Sequence, residues 1–169
     1  MEEIILVDSH DREKGKMEKL QAHREGWLHR AVSVFVFNSK GELLIQRRAA
    51  GKYHSPALWT NTCCGHPRPG EQNADAAARR LREEMGMNVP LEEIFSFVYK
   101  VKLADDLFEH EFDHVFTGRS DELPRPDPDE VMEWKYASLE ELMKDTDARQ
   151  QDYTIWFLMI FREAFKWLK

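Results

Sequence analysis

Three short stretches of the chain hold side chains that could do chemistry together. In Asn61-Thr62-Cys63-Cys64-Gly65-His66-Pro67, a cysteine precedes a histidine by two positions at a Gly-Pro loop, an arrangement suited to an active-site thiol. Glu109-His110-Glu111 lies in an alternating run, so its two carboxylates project to the same side of a strand. His23 and His29 supply two further imidazoles upstream. The segment from Gly65 to Met87, GHPRPGEQNADAAARRLREEMGM, adds a glycine loop followed by a helical pattern. Such a loop lets backbone N–H groups approach a phosphate. The helix supplies carboxylates for a hard cation such as Mg²⁺, which prefers oxygen ligands and diphosphate partners. Positions 80 and 84 are one helical turn apart and share a face, which here carries Arg80 and Glu84. One cation and one carboxylate on that face hold fewer metal ions than two carboxylates would, but give a diphosphate a direct partner.

The same segment resembles the Nudix box, with Gly65, Glu71, Arg79, Leu81, Glu83, Glu84, Gly86 and Met87 at the expected spacing. The one departure is Arg80, where Nudix hydrolases place a glutamate. With Cys64-Gly65-His66 and Glu109-x-Glu111, the chain resembles the type 1 isopentenyl-diphosphate isomerase family from about Leu6 to about Trp156. The resemblance implies an α/β Nudix fold, a mixed β-sheet sandwiched between helices. It also implies an activity, the interconversion of isopentenyl and dimethylallyl diphosphate in isoprenoid biosynthesis.

Carried over position by position, the resemblance gives Cys64 as the catalytic thiol. His23, His29, His66, Glu109 and Glu111 become the ligands of one divalent metal: Mn²⁺, Zn²⁺ or Mg²⁺. Lys19, Arg48, Lys52 and Arg80 match diphosphate-binding positions, and Glu84 matches the carboxylate that holds a second Mg²⁺ bound with the diphosphate. Tyr99 and Trp156 match active-site aromatic residues. The reaction needs an acid and a base on opposite sides of the substrate. Glu111, relayed through Tyr99, is the candidate on the protonating side and Cys64 on the other, with the roles exchanged in reverse. Trp156 would steady a carbocation-like species by cation–π attraction. Two other readings compete: a Nudix hydrolase of nucleoside diphosphate derivatives, which would keep a glutamate at position 80, and a non-catalytic diphosphate-binding module.

Composition bounds the partners. The 169 residues carry 31 acidic and 24 basic side chains, a formal charge of −7, with 42% apolar residues. The apolar fraction is enough for a core, and the length suits a single domain over residues 1–169. The acidic balance excludes non-specific nucleic-acid binding but leaves room for a local basic pocket. Cys63 and Cys64 are the only cysteines, and adjacent cysteines do not close an ordinary disulfide. A reducing compartment is therefore expected. The acidic N-terminus does not read as a signal or transit peptide. Arg162, Glu163 and Lys166 interrupt the most apolar stretch, Ile155 to Leu168, which is also too short for a bilayer span. The expectation is a cytoplasmic monomer with a small-molecule diphosphate substrate, no nucleic acid and no membrane.

The elements that must position these residues are partly legible. Strands are expected at 4–7, 31–37, 42–47, 94–103, 108–116 and 131–137. Helices are expected at 73–85, ended by Gly86, at 139–143 and at 153–167. Residues 8–16, 51–56 and 64–70 read as turns or loops. In the 108–116 strand, Phe108, His110, Phe112, His114 and Phe116 fall on one face and Glu109, Glu111 and Asp113 on the other. Outside the candidate site, Cys63 reads as a packing residue. His10, His54, His110 and His114 read as ordinary surface or core residues. Trp27, Trp59, Trp134 and Trp167 read as core or pocket wall. Asp127, Asp129 and Glu130 read as a solvated loop.

Overall fold

The computed structural model describes residues 1–168, with side chains through Ala164. Its spine is β3 (His29–Phe37), buried along almost its whole length. The alternating side chains of β3 enter two cores. Val32, Val34 and Val36 face one side, with Leu81, Met85 and Phe116. Phe35 and Phe37 face the other, with Val115, Phe157 and Ile160. A strand covered on both faces must read as a continuous apolar run, which is how AVSVFVF reads.

The first core lies under α2 (Asn73–Met85), and the second under α3 (Leu139–Ala148) and α4 (Ile155–Leu168). The mixed sheet is thus sandwiched between helices, the expected α/β arrangement. β3 runs parallel to β8 (Phe108–Arg119), with His29 opposite Glu111 and Phe37 opposite Arg119. β7 (Glu92–Lys102) pairs antiparallel on the far side of β8, placing Tyr99 opposite Glu111. The short β6 (Cys63–Gly65) pairs antiparallel with β3, placing Cys64 opposite Ser33. β4 (Leu43–Arg48) pairs antiparallel with β9 (Val131–Ala137) and the two-residue β5 (Trp59–Thr60). β1 (Glu3–Val7) and β2 (Glu13–Glu18) form an antiparallel ribbon beside β3.

Several expectations change. Residues 13–16, expected as turn, belong to the strand β2, and 64–65, expected as the start of a loop, belong to the strand β6. The helix α1 (Lys19–Glu25) carries no apolar periodicity that would reveal it. Caps define it instead. The Glu18 carboxylate accepts from the backbone N–H groups of Leu20 and Gln21, at 3.0 and 2.9 Å, and Gly26 ends the helix in the left-handed region. α3 starts where expected, behind a Ser138–Glu141 capping box, and runs five residues past its expected end. Trp27 is 51% exposed and is not core; its indole N–H donates to Glu25. The side chain of Trp167 lies outside the described residues. Among the described residues, no helix is long and apolar enough to cross a membrane.

Candidate active site

The acidic face of β8 points inward. Glu109, Glu111 and Asp113 are buried, while Phe108, His110 and Phe112 on the opposite face are only half-buried. Burying three carboxylates in a row reverses the usual pattern and demands compensation. The register of the sheet supplies it. His29 starts β3 opposite Glu111, and α1 places His23 beside Glu109.

Both imidazoles are fixed by the backbone. His23 Nδ1 lies 2.7 Å from the Lys19 carbonyl, and His29 Nδ1 lies 2.8 Å from the Trp27 carbonyl. A carbonyl only accepts, so each Nδ1 donates a proton and each Nε2 is the ring atom turned toward the carboxylates. His23 Nε2 is 3.4 Å from Glu109 Oε2, and His29 Nε2 is 3.4 Å from Glu111 Oε2. His66 Nε2 is 3.0 Å from the same Glu111 oxygen. Ligating atoms of His23, His29, His66 and Glu109 all lie within 4.8 Å of one another. Three of the buried polar atoms here, His23 Nε2, His29 Nε2 and Glu109 Oε2, have no hydrogen-bond partner.

Buried orphans that converge on one point are costly unless something fills that point. Backbone carbonyls orienting imidazoles from behind are also the usual support of metal-bound histidines. These residues fit a divalent metal. Burial and the adjacent Glu111 carboxylate push Glu109 up from its ordinary pKa, a penalty that a cation would relieve. Glu111 divides its two oxygens. Oε2 faces the imidazoles, and Oε1 accepts a hydrogen bond from the Tyr99 hydroxyl.

A cleft opens in front of this cluster. Of the site residues expected from sequence, all line it except His23, His29 and Tyr99, which are buried behind it. Cys64 faces the cleft from β6. Its thiol lies 3.3 Å from Asn61 Oδ1 and 3.6 Å from Ser33 Oγ, and Ser33 donates to Asp113 at 2.7 Å. Burial, with Asp113 and Glu84 nearby, holds the Cys64 thiol well above its ordinary range. Cys63 is fully buried in the core under α2, as a packing residue.

The cations form a second group in the cleft. Arg80 leaves α2 across Gly65, where a Cβ would collide with the arginine stem; glycine is needed for that approach. Arg80 pairs with Glu84, whose other oxygen accepts from Gln46 at 2.7 Å. Lys52 pairs with Glu130, and Lys19 with Glu2 at 3.3 Å. Arg48 has carbonyl partners, His54 and Ser55, and lies over the Trp156 ring at 5.1 Å.

Several cleft residues carry no signal in the sequence. His54 is buried between Trp156 and His23, and burial followed by Arg48 pushes its pKa down to about 3. Tyr53, Ser33 and Glu130 also line the cleft. Only tertiary structure brings them there. His114, expected to be unremarkable, is buried away from the cleft between Asp11 and Glu93.

The family model described as NUDIX domain matches residues 27–157. The chain is 55% identical over 155 residues to isopentenyl-diphosphate Delta-isomerase 2 of Aromatoleum aromaticum, covering 92% of this chain and 82% of that one. It is 46% identical over 162 residues to an isopentenyl-diphosphate Delta-isomerase of Serratia proteamaculans, covering 96% and 90%. Among solved structures, it is similar to a Deinococcus radiodurans protein with a TM-score of 0.74 at 25% identity, over 87% of this chain and 90% of that one. An Ap4A hydrolase of C. elegans shares the fold, with a TM-score of 0.59 at 19% identity and coverage of 82% and 96%.

Proposed function

Because the chain belongs to the NUDIX domain family and, within it, to the isopentenyl-diphosphate Delta-isomerases, which interconvert isopentenyl and dimethylallyl diphosphate, we propose the following division of labour in its cleft. Lys19, Arg48, Lys52 and Arg80 hold the diphosphate, and Glu84 holds the Mg²⁺ that accompanies it. The five-carbon tail then lies among Cys64, Glu111 and Trp156. Tyr99 and Glu111 deliver a proton to the terminal methylene carbon, whose π electrons form the new C–H bond. Positive charge develops on the adjacent tertiary carbon, facing the Trp156 indole. The thiolate form of Cys64, a minor fraction near neutrality, takes a proton from the next carbon, and the C–H electrons close the new double bond. In reverse, Cys64 gives the proton and Glu111 takes one. The walls of the cleft exclude water that would trap the cation as an alcohol.

His23, His29, His66, Glu109 and Glu111 hold one divalent metal: Mn²⁺, Zn²⁺ or Mg²⁺. Bound there, the metal supplies positive charge that keeps Glu111 in place and tunes its proton affinity. The observation that carries this reading is the divided carboxylate of Glu111, with one oxygen on the Tyr99 hydroxyl and the other on the imidazole cluster, in the same cleft as Cys64. Arg80 argues against hydrolysis, since it places a cation on the α2 face where Nudix hydrolases carry a glutamate. The proposed enzyme is a cytoplasmic monomer that acts on a free diphosphate, without membrane, and the formal charge of −7 argues against a nucleic-acid partner.

The test is incubation of the purified protein with isopentenyl diphosphate and Mg²⁺, followed by proton NMR. Methyl signals of dimethylallyl diphosphate with no phosphate release support the reading. Release of phosphate without the shifted double bond contradicts it.

A further inference from the structure

The cleft cations are matched by carboxylates of the chain itself. Lys52 is paired with Glu130, whose Oε2 also lies 3.6 Å from Arg80. Glu130 is not part of the solvated loop that the sequence suggests. Its backbone N–H donates to the Asp127 carbonyl, and its own carbonyl accepts from Ala49 N–H at the end of β4, both at 3.0 Å. This tether fixes the carboxylate, with 24% of the side chain exposed, between two cations that the proposed function assigns to the diphosphate. Lys52, Arg80 and Lys19 together hold Glu130 below its ordinary pKa against the cost of burial, so it is an anion. Glu84 pairs with the same Arg80 nitrogen, Nη2, that Glu130 approaches.

We propose that Glu130 is a built-in counter-anion of the diphosphate subsite, which makes diphosphate binding depend on a divalent cation. The inference rests on the reading of Lys52 and Arg80 as diphosphate partners. A bare diphosphate entering the subsite meets the charges of Glu130 and Glu84 and must compete with Glu130 for Lys52. A diphosphate arriving with Mg²⁺ brings the compensating charge, and the repulsion is screened at close range. With Glu130 neutral, the bare anion would be accepted more readily and the advantage of Mg²⁺ would shrink.

The experiment is isothermal titration of the full-length protein with inorganic pyrophosphate, with and without added Mg²⁺, for the unaltered chain, Glu130→Gln and Glu130→Ala. Circular dichroism checks that each variant is folded; either folded variant suffices. The expected result is that Glu130→Gln binds pyrophosphate without Mg²⁺ about tenfold more tightly than the unaltered chain, the order expected from removing one like charge at close range. The enhancement by Mg²⁺ should fall correspondingly. Glu133→Gln, which removes an exposed partner of Arg47, should leave both affinities as they were. Unchanged Mg²⁺-free affinity and unchanged enhancement in Glu130→Gln would overturn the inference. So would weaker pyrophosphate binding in Mg²⁺, which would make Glu130 a ligand of the cation instead. Failure of the underlying site assignment looks different: Lys52→Ala would then leave the affinity for Mg²⁺-pyrophosphate unaltered.

Discussion

Tyr99 stands directly across the β7–β8 ladder from Glu111, and its hydroxyl donates to Glu111 Oε1 at full burial. Burial and the Glu111 carboxylate push the tyrosine pKa well above its ordinary value, so Tyr99 remains a proton donor throughout the accessible pH range. The pair gives Glu111 a fixed orientation and a proton source on the side away from the imidazoles. Tyr99→Phe keeps the ring and removes the donor. The expected outcome is a fall in kcat of about a hundredfold, with KM for isopentenyl diphosphate and bound metal nearly unchanged. A variant with full kcat would remove Tyr99 from the proton path.

The orphaned Nε2 atoms of His23 and His29 predict a tightly held metal. Metal analysis of purified protein should give about one tightly held divalent metal per chain, lost in His23→Ala and in His29→Ala. Stripping the metal with a chelator should lower Tm, because ligand binding to the folded state stabilises it and the bare cluster leaves His23 Nε2, His29 Nε2 and Glu109 Oε2 unpartnered. Unchanged Tm after complete metal removal would contradict this ligand set.

Cys64 offers a pH test. Burial raises its pKa, so the neutral thiol predominates near neutrality, and only the thiolate reacts with iodoacetamide. The thiolate fraction rises with pH until the pKa is passed. Alkylation of Cys64 should therefore climb about tenfold per pH unit between about pH 7 and pH 9 with no plateau. Cys63, sealed in the core, should not react in the folded protein. A plateau in the rate below pH 8 would mean that the sulfur is less shielded than the structure places it.

The second core can be tested independently of the chemistry. Phe157 is fully buried and stacks near Phe35, Tyr153 and Phe161. Phe157→Ala should cost about 3–5 kcal/mol in urea unfolding, since close-packed surroundings relax only partly into the void left by a buried phenylalanine. Because α4 also carries Trp156, activity should fall along with stability.

Much of the site was legible because its residues are local in sequence. Gly65 to Met87 is an uninterrupted loop-helix pattern, and Glu109 and Glu111 share a strand face by simple alternation. The glycine at 86, in the left-handed region with φ 62°, ends α2 where the pattern stops. What escaped has no such local signature. α1 owes its existence to Glu18 and Gly26 rather than to an apolar stripe, and β2 is a largely polar edge strand. Glu130 reads as solvent-facing in sequence because the cations that bury it come from elsewhere, Lys52 after β4 and Arg80 on α2. His54 looks like any loop histidine until α4 brings Trp156 against it. The β8 pattern showed two faces but not which was interior. The apolar face would ordinarily be chosen, and it is the acidic one that points inward, because three imidazoles wait there.

The central claim is proton transfer from two sides of the substrate, and the initial rate of Cys64→Ala tests it most directly. The variant should be assayed against the unaltered enzyme with isopentenyl diphosphate, Mg²⁺ and equal bound metal. A loss of about a thousandfold or more, with metal content and pyrophosphate affinity retained, is the predicted result. Full activity in Cys64→Ala would contradict the account.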